Sequence, residues 1–340
     1  MRCTSLAIAL GAVRLTAALN IDTRQAIEPI SADEFKLFAV YSMAAYCKRR
    51  SPDARLNKAV CTTSSGGDCL NFDNATIVQE FVNDDYFRIG GYVARNPSKK
   101  HIVVAFKGTD SYVDLKTDSY KFQIDSDICN GCKLHGGFGT AFDLVKDQVE
   151  DAVRAEKATP GQENYRVVVT GHSLGGAVAT VAGAYLRKQG IPCDLYTYGS
   201  PRVGNDKFAL FASSQAGFSA RITNRNDGVT VLPMIGHVWQ QYKHTFPEYW
   251  YENGLLGKGN RYESPYKVCN GEDESCTSAS CFGIRNTFWP KKWCSIHDHS
   301  LYISSLKPCG GRVGWVLGQS IGIGQLQAFF DNEEGDQSAA

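Results

Sequence analysis

The chain has 340 residues, which is enough for one large α/β domain or two modest ones. Hydrophobic residues make up 43% of it and charged residues 21%, so it can bury a sizeable core and is not of a disordered type. Because the formal net charge is +1 and no run of like charges marks a tail, nucleic acid is not expected as a partner.

The N-terminus and the cysteines both predict secretion. Met1-Arg2 supplies a positive charge, residues 6–13 are apolar, and small residues up to Ala18 offer a cleavage site, so residues 1–18 are predicted to be a signal peptide. Arg14 leaves an ordinary N-terminal helix as the alternative. The twelve scattered cysteines favour disulfides and an oxidising, extracellular compartment. No other segment approaches the roughly 18 apolar residues of a membrane span, so no transmembrane segment is expected.

The first predicted helix begins at a capping box, Ser31-Ala-Asp-Glu34, and ends near Cys47. The polar, glycine-containing residues 51–75 are predicted to form a loop. This loop carries the one glycosylation sequon of the chain, at Asn74.

Apolar runs of strand length then alternate with helical patterns. Buried strands are predicted at 101–106 and 166–170, further strands at 195–198 and 220–223, a shorter strand at 92–94, an amphipathic helix over 138–152 and a helix over 177–187. This alternation predicts a mostly parallel sheet covered by helices on both faces, without a linker that would split the domain. Residues 310–340, which are glycine-rich and then acidic, form an extension without an assigned role.

One pentapeptide, Gly171-His-Ser173-Leu-Gly175, fits the G-x-S-x-G pattern. A predicted buried strand precedes it and a helix of small residues follows, which is the context of a nucleophile elbow. The free N–H groups at the start of that helix suit a developing oxyanion. The alternative is a glycine-rich turn that contains a bystander serine.

A nucleophilic serine needs a base, and the base needs an orienting acid, in the chain order Ser, Asp, His for this type of elbow. His237, His244, His297 and His299 follow the serine and could be the base, whereas His172 lies inside the elbow and is expected to point elsewhere. Many aspartates remain, and the pattern of residues does not choose among them.

Several separated motifs resemble the class 3 lipase family, in particular secreted fungal lipases and their feruloyl esterase relatives, over roughly residues 35–310. They are Ala45-Tyr-Cys47, Phe106-Lys-Gly-Thr109, Cys129-Asn-Gly-Cys132, His135-Gly-Gly-Phe138, Gly171-His-Ser-Leu-Gly-Gly176, Tyr198-Gly-Ser-Pro-Arg-Val-Gly-Asn205, Asn226-Asp-Gly-Val-Thr-Val-Leu-Pro233, Pro247-Glu-Tyr-Trp250 and His299-Ser-Leu-Tyr302. Their order and spacing together make the resemblance specific.

The resemblance implies an α/β-hydrolase fold, with a single domain over residues 19–309. It implies a catalytic triad of Ser173, Asp227 and His299. The reaction would then pass through an acyl-enzyme on the serine and would need no metal or organic cofactor.

Two backbone N–H groups, those of Thr109 and Leu174, match the family's oxyanion hole. Lys107 stands where the family usually has arginine, which keeps a cation but loses a bidentate contact. Of the other histidines, His297 is expected to be solvated or metal-binding, and His237 and His244 to be structural.

The resemblance also implies how the cysteines pair. The expected disulfides are Cys47–Cys309, Cys61–Cys69, Cys129–Cys132, Cys269–Cys276 and, as the remaining pair, Cys281–Cys294, with Cys193 left as a free thiol. A redox role for the C-x-x-C pair and a zinc site among the last cysteines and histidines are the less favoured interpretations.

The segment 110–118 matches the family's lid, with Tyr112, Val113 and Leu115 as its apolar side chains. This segment is polar overall, as in the feruloyl esterase branch, whereas the residues after Ser173 are lipase-like. We expect a secreted lipase of the triacylglycerol lipase type that acts on acylglycerols, monomeric and in transient contact with a lipid–water interface. The alternatives are a feruloyl or short-chain esterase and, more remotely, an inactive binding protein.

Overall fold

The computed structural model describes residues 31–47, 56–60, 74–82, 89–108, 122–233, 241–255, 261–271, 276–277 and 295–302. The strands in these ranges are β1 (Thr76–Val82), β2 (Gly90–Asn96), β3 (His101–Phe106), β4 (Gln123–Ser126), β5 (Cys132–His135), β6 (Arg166–His172), β7 (Cys193–Tyr198), β8 (Ser219–Asn224), β9 (Glu248–Tyr251) and β10 (Lys267–Cys269). The α-helices are α1 (Ala32–Ala44), α2 (Gly136–Asp143), α3 (Lys146–Ala158), α4 (Leu174–Lys188), α5 (Asp206–Ser214) and α6 (Ile296–Ser300). A 3₁₀ turn covers Arg261–Glu263.

Eight of these strands form one sheet in the order β1-β2-β3-β6-β7-β8-β9-β10. The central pairings, from β3 to β9, are parallel, and the two edges are antiparallel. The predicted α/β-hydrolase fold with a mostly parallel sheet is therefore confirmed. The carboxyl ends of the parallel strands meet at one edge, where Phe106 pairs with Gly171 and His172 with Tyr198.

Helices cover both faces of this sheet, which is why β3 and the middle of β6 are continuously apolar. On one face α1 packs through Phe35 and Phe38 against Tyr196, and the Tyr198 hydroxyl donates to the carbonyl of Phe35 at 2.6 Å. On the other face α2, α3 and α4 share one buried core with β3 and β6. Within the described residues, no helix is both long and apolar enough to cross a membrane.

The single helix predicted over 138–152 is wrong, because the chain forms two helices there. Val145, with φ −126° and ψ 0°, interrupts the helical backbone between α2 and α3. The apolar side chains of both helices nevertheless enter the same core, among them Phe142, Val149 and Val153. The apolar spacing of three and four residues continues across the non-helical backbone between α2 and α3. This spacing alone therefore does not distinguish two helices from one.

Candidate active site

Ser173 stands at the sharp turn between β6 and α4. Its backbone has φ 61° and ψ −132°, a region that side-chain-bearing residues rarely adopt. The Ser173 N–H donates to the carbonyl of Tyr198 at 2.9 Å, which ties the turn to the end of β7. The Ser173 hydroxyl does not cap α4, so it is not committed to the helix that it precedes.

Two glycines make this turn sterically possible. A Cβ on Gly171 would overlap the carbonyl of Gly175, one turn later. A Cβ on Gly175 would overlap the carbonyl oxygen of Phe106 and lie 2.9 Å from the backbone nitrogen of Gly108. The absence of both side chains therefore lets α4 start directly against the end of β3.

His299, in the short helix α6, faces Asp227, three residues beyond the end of β8. The His299 Nδ1 lies 3.0 Å from Oδ1 and 2.9 Å from Oδ2 of this carboxylate, and both residues are almost wholly buried. A carboxylate only accepts hydrogen bonds, so Nδ1 carries the proton and Nε2 of the neutral ring has a free lone pair. Nε2 is buried and has no hydrogen-bond partner among the described residues.

The Asp227 carboxylate is held by donors from two directions. The Val229 N–H donates to Oδ1 at 2.9 Å, and the Tyr302 hydroxyl donates to Oδ2 at 2.9 Å. The same hydroxyl accepts the Asn224 N–H at 2.7 Å. Tyr302 therefore links the end of β8 to the carboxylate. The H-x-x-Y motif contains this tyrosine but does not by itself predict the contact.

Two distant segments are joined beside this carboxylate. Ser295 pairs with Asp227 in an isolated parallel bridge, and its N–H donates to the carbonyl of Asn226 at 2.7 Å. The Ser295 hydroxyl accepts the N–H of Asp298 and so caps α6. This bridge brings the helix that carries His299 to the loop that carries Asp227.

Gly199, directly after β7, leaves room for this pair. It has φ +58°, and a Cβ built on it would lie 2.8 Å from Asp227 Oδ2 and 2.9 Å from His299 Nδ1. A side chain there would push between the two groups. Gly199 lies within the Tyr198–Asn205 motif, but the sequence alone predicts no role for it.

The other histidines lie apart from this arrangement or behind it. His172 is completely buried, and burial and the neighbouring His299 lower its pKa well below the usual value. His244 is also buried, and its Nε2 donates to the carbonyl of Thr230 at 2.7 Å. His297 is exposed, and His237 lies outside the described residues.

Half of the predicted oxyanion hole is described. Leu174 is the first residue of α4, where a backbone N–H has no acceptor within the helix. Thr109 lies outside the described residues, which end at Gly108 on this side, and so do the predicted lid residues Tyr112, Val113 and Leu115.

The structure pairs Cys129 with Cys132 and Cys269 with Cys276. Cys47 is also disulfide-bonded. Cys193 is a buried free thiol, and burial raises its pKa to about 11. The predicted partners and pairs that involve Cys61, Cys69, Cys281, Cys294 and Cys309 lie outside the described residues. In the described ranges, no group of three or more His, Cys, Asp or Glu side chains could hold a metal ion.

Comparisons with known proteins find similar sequences among secreted lipases. Residues 103–237 match the family model described as lipase (class 3). The chain is 38% identical over 275 residues to secreted mono- and diacylglycerol lipase 1 of Fusarium solani, which covers 81% of this chain and 77% of the relative. It is 34% identical over 222 residues to secreted mono- and diacylglycerol lipase A of Penicillium camembertii, which covers 64% of this chain and 70% of the relative.

Solved structures of fungal lipases have the same fold. The mono- and diacylglycerol lipase from Aspergillus oryzae superposes with a TM-score of 0.65 at 29% identity, covering 81% of this chain and 96% of that one. Lipase II from Rhizopus niveus superposes with a TM-score of 0.66 at 26% identity, covering 82% and 97%.

Proposed function

Since the chain belongs to the class 3 lipase family, we propose that it is a secreted lipase whose substrates are mono- and diacylglycerols. It is a carboxylic ester hydrolase, and its relatives named as secreted place it outside the cell. The choice of partial glycerides rests on the relatives from Fusarium solani and Penicillium camembertii, both of which are named for those substrates.

The observation that carries this proposal is the buried pair of His299 and Asp227. An imidazole held by a carboxylate at Nδ1, with Nε2 free of partners in the described part of the chain, is a general base for a nearby hydroxyl. We assign that hydroxyl to Ser173, because its neighbour in the elbow, His172, lies against the His299 ring with the centroids 4.6 Å apart.

Acylation begins when Ser173 Oγ attacks the ester carbonyl while His299 Nε2 removes its proton. Asp227 keeps the ring in the required tautomer and stabilises the imidazolium that forms. The Leu174 N–H, and with it that of Thr109, donates to the oxyanion of the tetrahedral intermediate. The C–O bond then breaks, and the glyceride alcohol leaves with the proton from His299.

Deacylation repeats these steps with water as the nucleophile. His299 removes a proton from the water as it attacks the acyl-serine ester, and it returns that proton to Ser173 Oγ as the fatty acid leaves. The same imidazole, that of His299, thus transfers the proton in each step. Apart from the substrate and water, these steps use side chains and backbone groups of the chain.

A feruloyl esterase is the second candidate, because one observation favours it. The Cys269–Cys276 disulfide resembles a loop of the feruloyl esterase branch of the family, and the structure forms it. Both candidates use the same chemistry and differ in the acyl group that the site accepts.

The test is a set of matched assays on monoolein, diolein and triolein emulsions and on methyl ferulate, with Ser173→Ala as the control. We expect fast release of oleate from the mono- and diglyceride, slower release from triolein, and none from any substrate in the variant. Ferulate release without oleate release would replace the lipase proposal by the esterase candidate. Equal activity in the Ser173→Ala variant would remove Ser173 from the mechanism.

A further inference from the structure

Tyr46 follows the end of α1 and reaches the back of the nucleophile elbow. It belongs to the Ala45-Tyr-Cys47 motif, which the proposed reaction does not use. Its side chain is buried, and its hydroxyl lies 3.0 Å from His172 Nδ1 and 3.3 Å from the His172 carbonyl oxygen. A residue 126 positions away in sequence therefore contacts the neighbour of the proposed nucleophile.

The hydrogen bonds of His172 fix its tautomer. Its Nε2 lies 3.0 Å from the backbone carbonyl oxygen of His299, and a carbonyl can only accept, so Nε2 carries the proton. The ring is neutral, because burial and the adjacent His299 lower its pKa well below the usual value. Nδ1 is then an acceptor, and the Tyr46 hydroxyl is its donor.

These contacts hold His299 on a side that Asp227 does not reach. The His172 ring lies against the His299 ring, with centroids 4.6 Å apart and 30° between the planes, and its N–H binds the His299 backbone. Asp227 fixes the Nδ1 edge of the same imidazole. The direction in which His299 Nε2 points is therefore set by two groups, Asp227 and His172, and the tautomer of His172 depends on Tyr46.

Tyr46 also lies against the end of β3. A Cβ built on Gly108 would overlap the Tyr46 hydroxyl and lie 2.6 Å from the His172 carbonyl oxygen. Gly108 directly precedes Thr109, the second predicted oxyanion residue. The Tyr46 hydroxyl thus lies between the nucleophile elbow and the segment that follows β3.

We propose that Tyr46 is a positioning residue for the ester hydrolysis, and that it acts through His172 on the orientation of His299. Its hydroxyl keeps His172 in the Nε2–H tautomer, and that N–H holds the backbone of the base. The disulfide of the next residue, Cys47, restrains the end of this segment. This inference rests on the proposed function, since it concerns the rate of that reaction.

The first experiment compares Tyr46→Phe with Tyr41→Phe on the best glyceride substrate. Both tyrosines are buried in the same segment, and the Tyr41 hydroxyl accepts a hydrogen bond from Asn96 at 3.1 Å, away from the site. We expect about a tenfold lower kcat for Tyr46→Phe with KM within twofold, since one orienting hydrogen bond is lost. Tyr41→Phe is expected to lower the unfolding temperature while kcat stays unchanged.

A second experiment tests the route through His172. With ¹⁵N-labelled histidine, the wild-type His172 should show protonation at Nε2 only, and Tyr46→Phe should show a mixture of tautomers. In a His172→Phe background, Tyr46→Phe should lower kcat by less than twofold further.

An unchanged tautomer, or an undiminished effect in the His172→Phe background, would overturn the proposed route. Equal kcat values for wild type and Tyr46→Phe would overturn the positioning role. An inactive wild type would instead defeat the proposed function, and the tautomer measurement would still decide whether Tyr46 controls His172.

Discussion

The proposed nucleophile and the proposed base are positioned in two different ways. Ser173 is placed by a turn of five residues, 171–175, in which glycines remove the side chains that would collide. His299 is placed by bonds to Asp227, which lies 72 residues away in sequence, and by the bridge at Ser295. The first arrangement is local and steric, whereas the second depends on tertiary contacts between separate segments.

This difference predicts two kinds of failure. A side chain added at a glycine of the elbow would overlap backbone atoms, so it should disturb the fold together with the activity. Changes around the histidine alter hydrogen bonds at the edge of the sheet, so they should lower the rate while most of the stability remains.

The largest effect on the rate of a folded protein should come from Asp227→Asn. An amide N–H₂ facing His299 Nδ1 favours the wrong tautomer of the ring, so kcat should fall about 10⁴-fold, as in other triads. Thermal unfolding followed by circular dichroism should show a folded protein. Asp125→Asn, at an exposed aspartate paired with Lys133, is the control and should retain full activity. A loss below tenfold would mean that Asp227 is not the orienting acid.

Gly171→Ala should break the elbow. The new methyl group would overlap the backbone of Gly175, which cannot move without displacing the start of α4, so we expect several kcal/mol of destabilisation and loss of activity. Gly183→Ala, within α4, is the control, because the nearest atom to its Cβ is 3.5 Å away. The control should be active and as stable as wild type, or up to about 1 kcal/mol more stable. Equal stability of the two variants would refute the steric account of the turn.

Gly199→Ala should act on the His299–Asp227 pair. Its methyl group would enter the space beside both groups, and we expect kcat to fall about 100-fold because the base is displaced. Gly161→Ala has a similar backbone strain, with φ +86°, but no atom within 4 Å of its Cβ. The control should lose about 1 kcal/mol of stability without losing activity. If both variants lose stability but keep their activity, the positive φ alone accounts for the glycine at position 199. Contact with His299 and Asp227 would then not be the reason for it.

The smallest effect should come from Tyr302→Phe. This change removes one of the donors to Asp227 and leaves the buried Asn224 N–H without its acceptor, so kcat should fall about tenfold. Tyr185→Phe removes a hydroxyl that donates to Glu150 at 2.6 Å, remote from the site, and should leave kcat unchanged. Comparable kcat values for the two variants would show that the remaining contacts of Asp227 are enough to hold its carboxylate in place.

The central strands and the elbow were predictable from the sequence because their causes are local. Strands β3 and β6 are buried on both faces, and their apolar runs, residues 102–106 and 167–169, therefore predict buried strands. Strands β7 and β8 are also mostly buried, although polar residues such as Thr197 and Arg221 stand among their apolar ones. The pattern around Ser173 likewise predicts its own turn, since the glycines it needs lie two residues to either side. The motifs also indicate the class 3 lipase family, which the comparisons confirm, and the proposal of acylglycerol substrates rests on that family.

Tertiary structure decided what depends on partners distant in the chain. No distinct periodicity in the sequence marks the edge strands β1 and β10, the strand β9 beside β10, or the division between α2 and α3, because pairing and packing define them. The residues alone left four histidines and many aspartates open. Only the sheet, by bringing the ends of β6, β7 and β8 to one edge, places His299 against Asp227 and Tyr46 against His172. A side chain's neighbours across the sheet depend on strand order and register, which no short stretch of sequence contains.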